Sequence, residues 1–189
     1  MTTQAHASPS APAPAKGGAL VVRAEENAQQ FLSFSLHGEM FAVGILNVKE
    51  IIEYGNLTEI PMMPPFIRGV INLRGSVVPV IDLSARFGNP PTAVGKRTCI
   101  VIVEVQEGEF RHDIGIIVDA VSEVLEIPAA EIEPPPSFGA KIRADFIFGM
   151  GKAGHPGEGV GGRFVIILQI DRVLSVEEIA MLAGVADAA

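Results

Sequence analysis

A chain of 189 residues with a formal net charge of −8 has room for one sizeable domain or two small ones. Its 14 Lys and Arg against 22 Asp and Glu argue against broad nucleic-acid binding, which needs a basic face to neutralise phosphates. Apolar runs such as Cys99 to Val103 and Phe164 to Leu168 are far shorter than the roughly 20 residues that span a bilayer. The first 28 residues also lack the charged start and apolar core of a secretory signal, so a cytoplasmic chain without membrane insertion is expected.

Ala, Pro, Ser, Thr and Gly dominate the first 18 residues, a composition too poor in large apolar side chains to offset the entropy of ordering. Residues 1–29 therefore read as a disordered tail. From Phe31 the pattern changes to short apolar runs punctuated by Gly, Pro and Asn, which predicts a mainly β fold of many short strands. Phe31 to Leu36 and Met40 to Val43 predict a hairpin across His37-Gly38. Val70 to Leu73 and Val77 to Leu83 repeat the device across Arg74-Gly75. Thr98 to Val105 and Ile114 to Val118 flank the polar turn Gln106 to Glu109, and Phe164 to Ile170 supplies a last strand. Short helical turns are expected at Val48 to Glu53 and Val121 to Glu126. A longer helix is expected over 175–185, where Ser175 caps and Glu178 stands at the capping-box position.

The chain repeats itself. Ala42 to Glu53 resembles Gly115 to Glu126, Phe66-Ile-Arg-Gly69 resembles Phe146-Ile-Phe-Gly149, and the next strand ends Val80-Ile-Asp82 in one half and Gln169-Ile-Asp171 in the other. Two units of this size suit small β-barrels, which remove exposed strand edges. Two packed five-stranded barrels are expected, the first over about 30–95 and the second over about 96–174.

Catalytic apparatus is hard to find. Asp82 and Asp119 are the available carboxylates, and each follows an apolar strand, where Asp commonly starts a turn. None of His6, His37, His112 and His155 stands at metal-ligand spacing from another, and Cys99 and Ser76 have no neighbouring base. Gly149-Met-Gly151-Lys-Ala-Gly154 matches a phosphate-binding pattern in letters only, because His155-Pro156-Gly157 follows where a helix should begin. The stretch from Gly151 to Gly162 reads as a hairpin loop. No catalytic residue, metal or cofactor is expected. An oligonucleotide-binding barrel would need stacking aromatics in a basic groove, yet Trp is absent and Tyr54 is alone. The informative segment is Pro64 to Gly75, in which Arg68 and Arg74 sit beside turns of an acidic protein, where planar guanidinium groups suit an interface.

That segment carries a family resemblance. Phe31-Leu-Ser-Phe34, Phe41 to Ile51, the block Pro65-Phe-Ile-Arg-Gly-Val-Ile-Asn-Leu-Arg-Gly75 and Val78-Pro-Val-Ile-Asp-Leu83 resemble the CheW family in order and spacing, and the likeness extends over 30–183. The resemblance implies two five-stranded, SH3-like barrels (CheW-like) with short helices and a C-terminal helix. It also implies an adaptor without enzymatic activity. One surface would dock the regulatory domain of a CheA-type histidine kinase, and another the cytoplasmic tip of a methyl-accepting chemoreceptor. Carried over by position, the interface residues are Val48 and Glu50 on a helical turn, then Gly69, Asn72, Leu73, Arg74 and Gly75. Val48 would supply apolar contact, Glu50 and Arg74 charged contact, and Gly69 a close backbone approach. The long tail and the enlarged loop over 151–162 depart from the family pattern. A scaffold of the same type in a non-flagellar kinase pathway is the alternative within the resemblance.

Overall fold

The computed structural model describes residues 28–137, 142–153 and 162–187, with side chains of the last helix described as far as Met181. Strand β1 (Ala28–Leu36) turns back into β2 (Glu39–Gly44), and a 3-10 turn at Ile45–Asn47 leads to β3 (Val48–Glu53). Strands β4 (Ile67–Leu73) and β5 (Ser76–Asp82) run into the short helix α1 (Leu83–Arg86). Then come β6 (Cys99–Glu107), β7 (Phe110–Val118), β8 (Ala120–Pro128), β9 (Ile147–Ala153) and β10 (Arg163–Leu168). Helices α2 (Ile170–Val173) and α3 (Val176–Asp187) close the chain. Both predicted two-residue hairpins are present: φ is +50° and +77° at His37-Gly38, and +52° and +88° at Arg74-Gly75. Turns with both central residues left-handed match the natural twist of the strands they join.

Two five-stranded sheets result, with orders β8-β1-β2-β10-β9 and β3-β6-β7-β5-β4. The fold is mainly β and SH3-like, as expected, but the sheets do not divide the chain at residue 95. The first sheet combines the hairpin β1–β2 with β8, β9 and β10, and the second combines β6–β7 with β3, β4 and β5. Each half of the repeat thus lends its hairpin to the three later strands of the other half. The chain crosses between the sheets at two short linkers, Ile45–Asn47 and Asp119. Parallel pairing of β2 with β10 and of β5 with β7 joins each lent hairpin to its host.

Three further expectations are corrected. Val48–Glu53 and Val121 to Glu126 are strand, not helix; in β3 the exposure alternates residue by residue, the period of a sheet. A short Val- and Ile-rich run is ambiguous until its partner is known, and here β6 and β1 pair with these two segments. The counterpart of Asp82 is Gln169 rather than Asp171, because Asp82 N donates to Phe66 O at 2.7 Å and Gln169 N to Phe146 O at 2.8 Å. Ser175 Oγ accepts from Glu178 N at 3.4 Å, but the Glu178 carboxylate points to Arg86 and Arg143, so only half of the capping box forms.

Neither sheet closes as the expected barrel: among the described residues its edge strands do not pair with each other, and a single bridge just beyond one edge strand links its two ends. Beyond β3 the chain reaches Thr58, which exchanges two 2.9 Å hydrogen bonds with Val70 of β4. Beyond β8 it reaches Glu133, which exchanges bonds of 2.9 and 2.8 Å with Met150 of β9. The repeated glycines permit this contact. A Cβ on Gly69, whose φ is +143°, would overlap the Thr58 carbonyl, and one on Gly149 would overlap the Ile132 side chain. Gly149 and Gly151 therefore serve packing within β9; Gly154 and most of the predicted loop, residues 154–161, lie outside the described residues.

Three apolar cores follow from this arrangement. Phe31, Ile127, Val165 and Ile167 fill the first sheet's concavity, and Ile71, Val80, Ile100 and Ile117 fill the second's. The largest core lies between them and draws on both, with Phe34, Phe41, Leu83, Ile116, Leu168 and Leu174. Phe34, Phe41, Phe87 and Phe146 run through it with successive ring centroids 6.2, 5.8 and 6.3 Å apart.

Gly69→Ala and Gly149→Ala should each lower the unfolding free energy by about 2 kcal/mol or more, because the added methyl must push closure backbone or core atoms aside. Gly75→Asn, in open space at a φ that Asn tolerates, should change it by less than about 1 kcal/mol. Urea denaturation of the three variants measures this, and an unchanged midpoint for Gly69→Ala would contradict the closure.

Candidate partner interface

The free edges of β3 and β4 face each other at the end of the second sheet away from the Thr58 bridge. There Arg74 Nη1 donates to Glu50 Oε1 and Arg74 Nη2 to Glu50 Oε2, both at 2.9 Å. A bidentate pair of this kind fixes orientation as well as distance. Arg74 occupies the first left-handed position of the turn, and Asn72 Oδ1 accepts from Gly75 N at 2.9 Å, which holds the turn in shape. The Arg74 side chain is 77% exposed, so one face of the guanidinium remains open to water. Leu73 packs below it onto the second sheet's core, and Lys49, Glu50, Leu73, Arg74, Ser76 and Asp113 line a shallow cleft. Val77, paired with Asn72, adds a largely exposed apolar side chain at the same end.

Of the seven residues carried over by resemblance, Glu50, Asn72, Leu73, Arg74 and Gly75 thus share one corner. Val48 lies on β3 as well, half-buried against the core between the sheets. Gly69 is different. It is buried under Thr58, so the close backbone approach it permits is made within the chain and not by a partner.

The two arginines of the informative segment also separate. Arg68 Nη1 donates to Asp82 Oδ2 at 2.9 Å, and Asp82 is fully buried. Thr92 N and Thr92 Oγ1 donate to the same carboxylate at 2.8 and 3.0 Å, and Ala85 N at 3.3 Å caps α1 on it. A buried carboxylate is tolerated when its lone pairs are met in this way. Arg68 is therefore committed internally, and of the two arginines Arg74 is the exposed one.

The cross-strand charges were not visible as a site in the sequence. Glu104 and Asp113 stand directly opposite each other on β6 and β7, where like charges repel. Lys49 answers both, at 2.7 Å from Asp113 and 3.2 Å from Glu104, and Arg111 lies 3.1 Å from Glu104. The hydrogen bond to Asp113, followed by that to Glu104, raises the Lys49 pKa above its ordinary value. The cue was the register of β6 on β7, which places two acids together and requires a cation; the cation itself comes from β3, far off in sequence.

Asp82 and Asp119 show no shared cleft. Asp82 is buried and fully bonded, and Asp119 Oδ2 accepts from the backbone N of His37 at 2.8 Å. His37 Nε2 does lie 2.6 Å from Ser84 Oγ, but Ser84 is buried and its hydroxyl donates to Pro90 O. With Asp119 on the His37 main chain and not on its ring, the arrangement lacks the orienting third group of a nucleophilic site. Among the described residues no group of three or more His, Cys, Asp or Glu is placed to hold a metal, and no helix is long and apolar enough to cross a membrane.

The family model described as the CheW-like domain matches residues 30–178. The chain belongs to the CheW family. It is 35% identical over 158 residues to the chemotaxis protein CheW of Klebsiella aerogenes, a match covering 84% of this chain and 89% of that one. It is 32% identical over 125 residues to protein FrzA of Myxococcus xanthus, covering 66% and 75%. The crystal structure of the scaffolding protein TtCheW from Thermoanaerobacter tengcongensis superposes with a TM-score of 0.66 at 36% identity, covering 77% of this chain and 87% of that one. CheW-family membership identifies the chain as a chemotaxis adaptor and not an enzyme.

Exposed ion pairs contribute at most about 1 kcal/mol. Arg74→Glu, which opposes two carboxylates, should leave the fold intact and lower the unfolding free energy by no more than about that, and the reversed pair E50R/R74E should regain it. Denaturant melts of the three proteins test this; a loss of several kcal/mol in the single variant would make the pair a structural brace.

Proposed function

We propose that this protein is a cytoplasmic adaptor that couples the regulatory domain of a CheA-type histidine kinase to the cytoplasmic tips of methyl-accepting chemoreceptors, and that it is recruited through them to membrane receptor arrays. The observation that carries this reading is the match to the CheW-like domain over 30–178. The corner formed by Glu50, Asn72, Leu73, Arg74 and Gly75, with Val48 beside it on β3, serves one of the two partners. Several features suit that role. Arg74 is preset by its turn and by Glu50, so little side-chain entropy is lost on binding. A partner carboxylate can share the exposed edge of the guanidinium, and Val77 offers apolar contact beside it. Charged groups at such a rim act mainly on specificity and on association rate.

A second reading keeps the scaffold and changes the pathway: a CheW-like adaptor of a non-flagellar kinase system. The similarity to protein FrzA, which carries a different name from the chemotaxis protein CheW of Klebsiella aerogenes, is what favours it.

Calorimetric titration of the wild-type chain and Arg74→Glu against the organism's kinase regulatory domain and a receptor cytoplasmic fragment tests the proposal. Wild type should bind both, and the variant should lose at least tenfold in affinity for one. A well-folded wild type that binds neither would overturn the adaptor reading.

A further inference from the structure

Arg86, the last residue of α1, is buried in the middle of the molecule. Its side chain is only 6% exposed, and its guanidinium carbon lies 5.5 Å from the Phe66 ring centroid and 4.9 Å from that of Phe146. These are the paired phenylalanines of the internal repeat, so one cation sits between the two halves. Arg86 Nε donates to Val173 O at 3.1 Å, which ties α1 to α2. Among the described residues Nη2 finds no hydrogen-bond partner; the Glu178 carboxylate, 3.2 Å away, attracts it by charge without hydrogen-bond geometry. The same Glu178 oxygen receives Arg143, whose guanidinium lies 4.5 Å from the Phe146 centroid and also pairs with Asp145.

A buried charge without an anion is costly. Glu178 supplies that anion, and it comes from α3. Among the described side chains of this helix, Val176 to Met181, other holds are few. Val176 and Ile179 pack on the central core but are only partly buried, and Glu177, Ala180 and Met181 are exposed. At its N-terminus, Glu177 N donates to Glu107 Oε1 at 3.3 Å and Glu178 N to Ser175 Oγ at 3.4 Å, both long. Between Val176 and Met181, α3 has no fully buried side chain, whereas β6 and β7 are buried along most of their length. Segments with few buried apolar contacts open before the core does.

We propose that Arg86, Arg143, Phe66 and Phe146 form a receiving site for a carboxylate carried on a helix, filled here by Glu178, and that α3 is a latch that leaves this site while both sheets stay folded. When α3 lifts, water reaches Arg86 and replaces the lost anion. Removing the Glu178 charge shifts the same equilibrium, because the seated state then holds a buried guanidinium with no anion against it.

Hydrogen–deuterium exchange of the full chain, wild type and Glu178→Gln, tests the latch. In wild type the amides of α3 should exchange at least tenfold faster than those of β6 and β7. Glu178→Gln should accelerate α3 about another tenfold and leave the sheet amides unchanged. Equal rates for α3 and the sheets in wild type, no acceleration in the variant, or sheet amides speeding up in step with α3 would each overturn the proposal.

Discussion

Exchange of hairpins between the two halves of the repeat is the constraint on which the rest of the structure depends. β1–β2 completes the sheet built from β8, β9 and β10, and β6–β7 completes the one built from β3, β4 and β5. Neither half can fill its own sheet. The chain must cross between sheets at Ile45–Asn47 and again at Asp119, and both crossings pass beside the core that lies between them. A body built in this way has no internal hinge across which two barrels could move independently.

Polar groups reinforce the same junction. Asp82, at the end of β5, accepts from Arg68 on β4, from Ala85 in α1 and from Thr92 in the loop beyond, so one buried carboxylate organises the exit from the second sheet. His37 in the first sheet's turn reaches Ser84 of α1, and Asp119 holds the backbone of that turn. Arg86 occupies the matching place between Phe66 and Phe146.

Much of this was legible in the sequence, for identifiable reasons. Both two-residue hairpins could be placed because His37-Gly38 and Arg74-Gly75 interrupt strong β patterns, and the repeat was visible because its glycines and phenylalanines do the same work twice. Glu50 and Arg74 were named through resemblance, and the structure pairs them with each other. What stayed hidden was pairing between segments far apart in the chain. The strand character of β3 depends on β6, the partner of Arg68 on the register of β4 against β5, and the need for Lys49 on two acids opposed across β6 and β7. A sequence lists the charges in order but not the register that brings them together, and a linear repeat does not say that its halves have exchanged hairpins.

Interlocking has a direct test, since the chain contains no Trp. A single Trp placed at the exposed Phe164 of the first sheet, and in a separate variant at the exposed Val77 of the second, reports on each sheet alone. Urea unfolding followed by that fluorescence and by far-ultraviolet circular dichroism should give coincident transitions in both variants, as one cooperative body requires. A fluorescence midpoint that separates from the circular dichroism midpoint in either variant would show a sheet melting by itself and contradict the account.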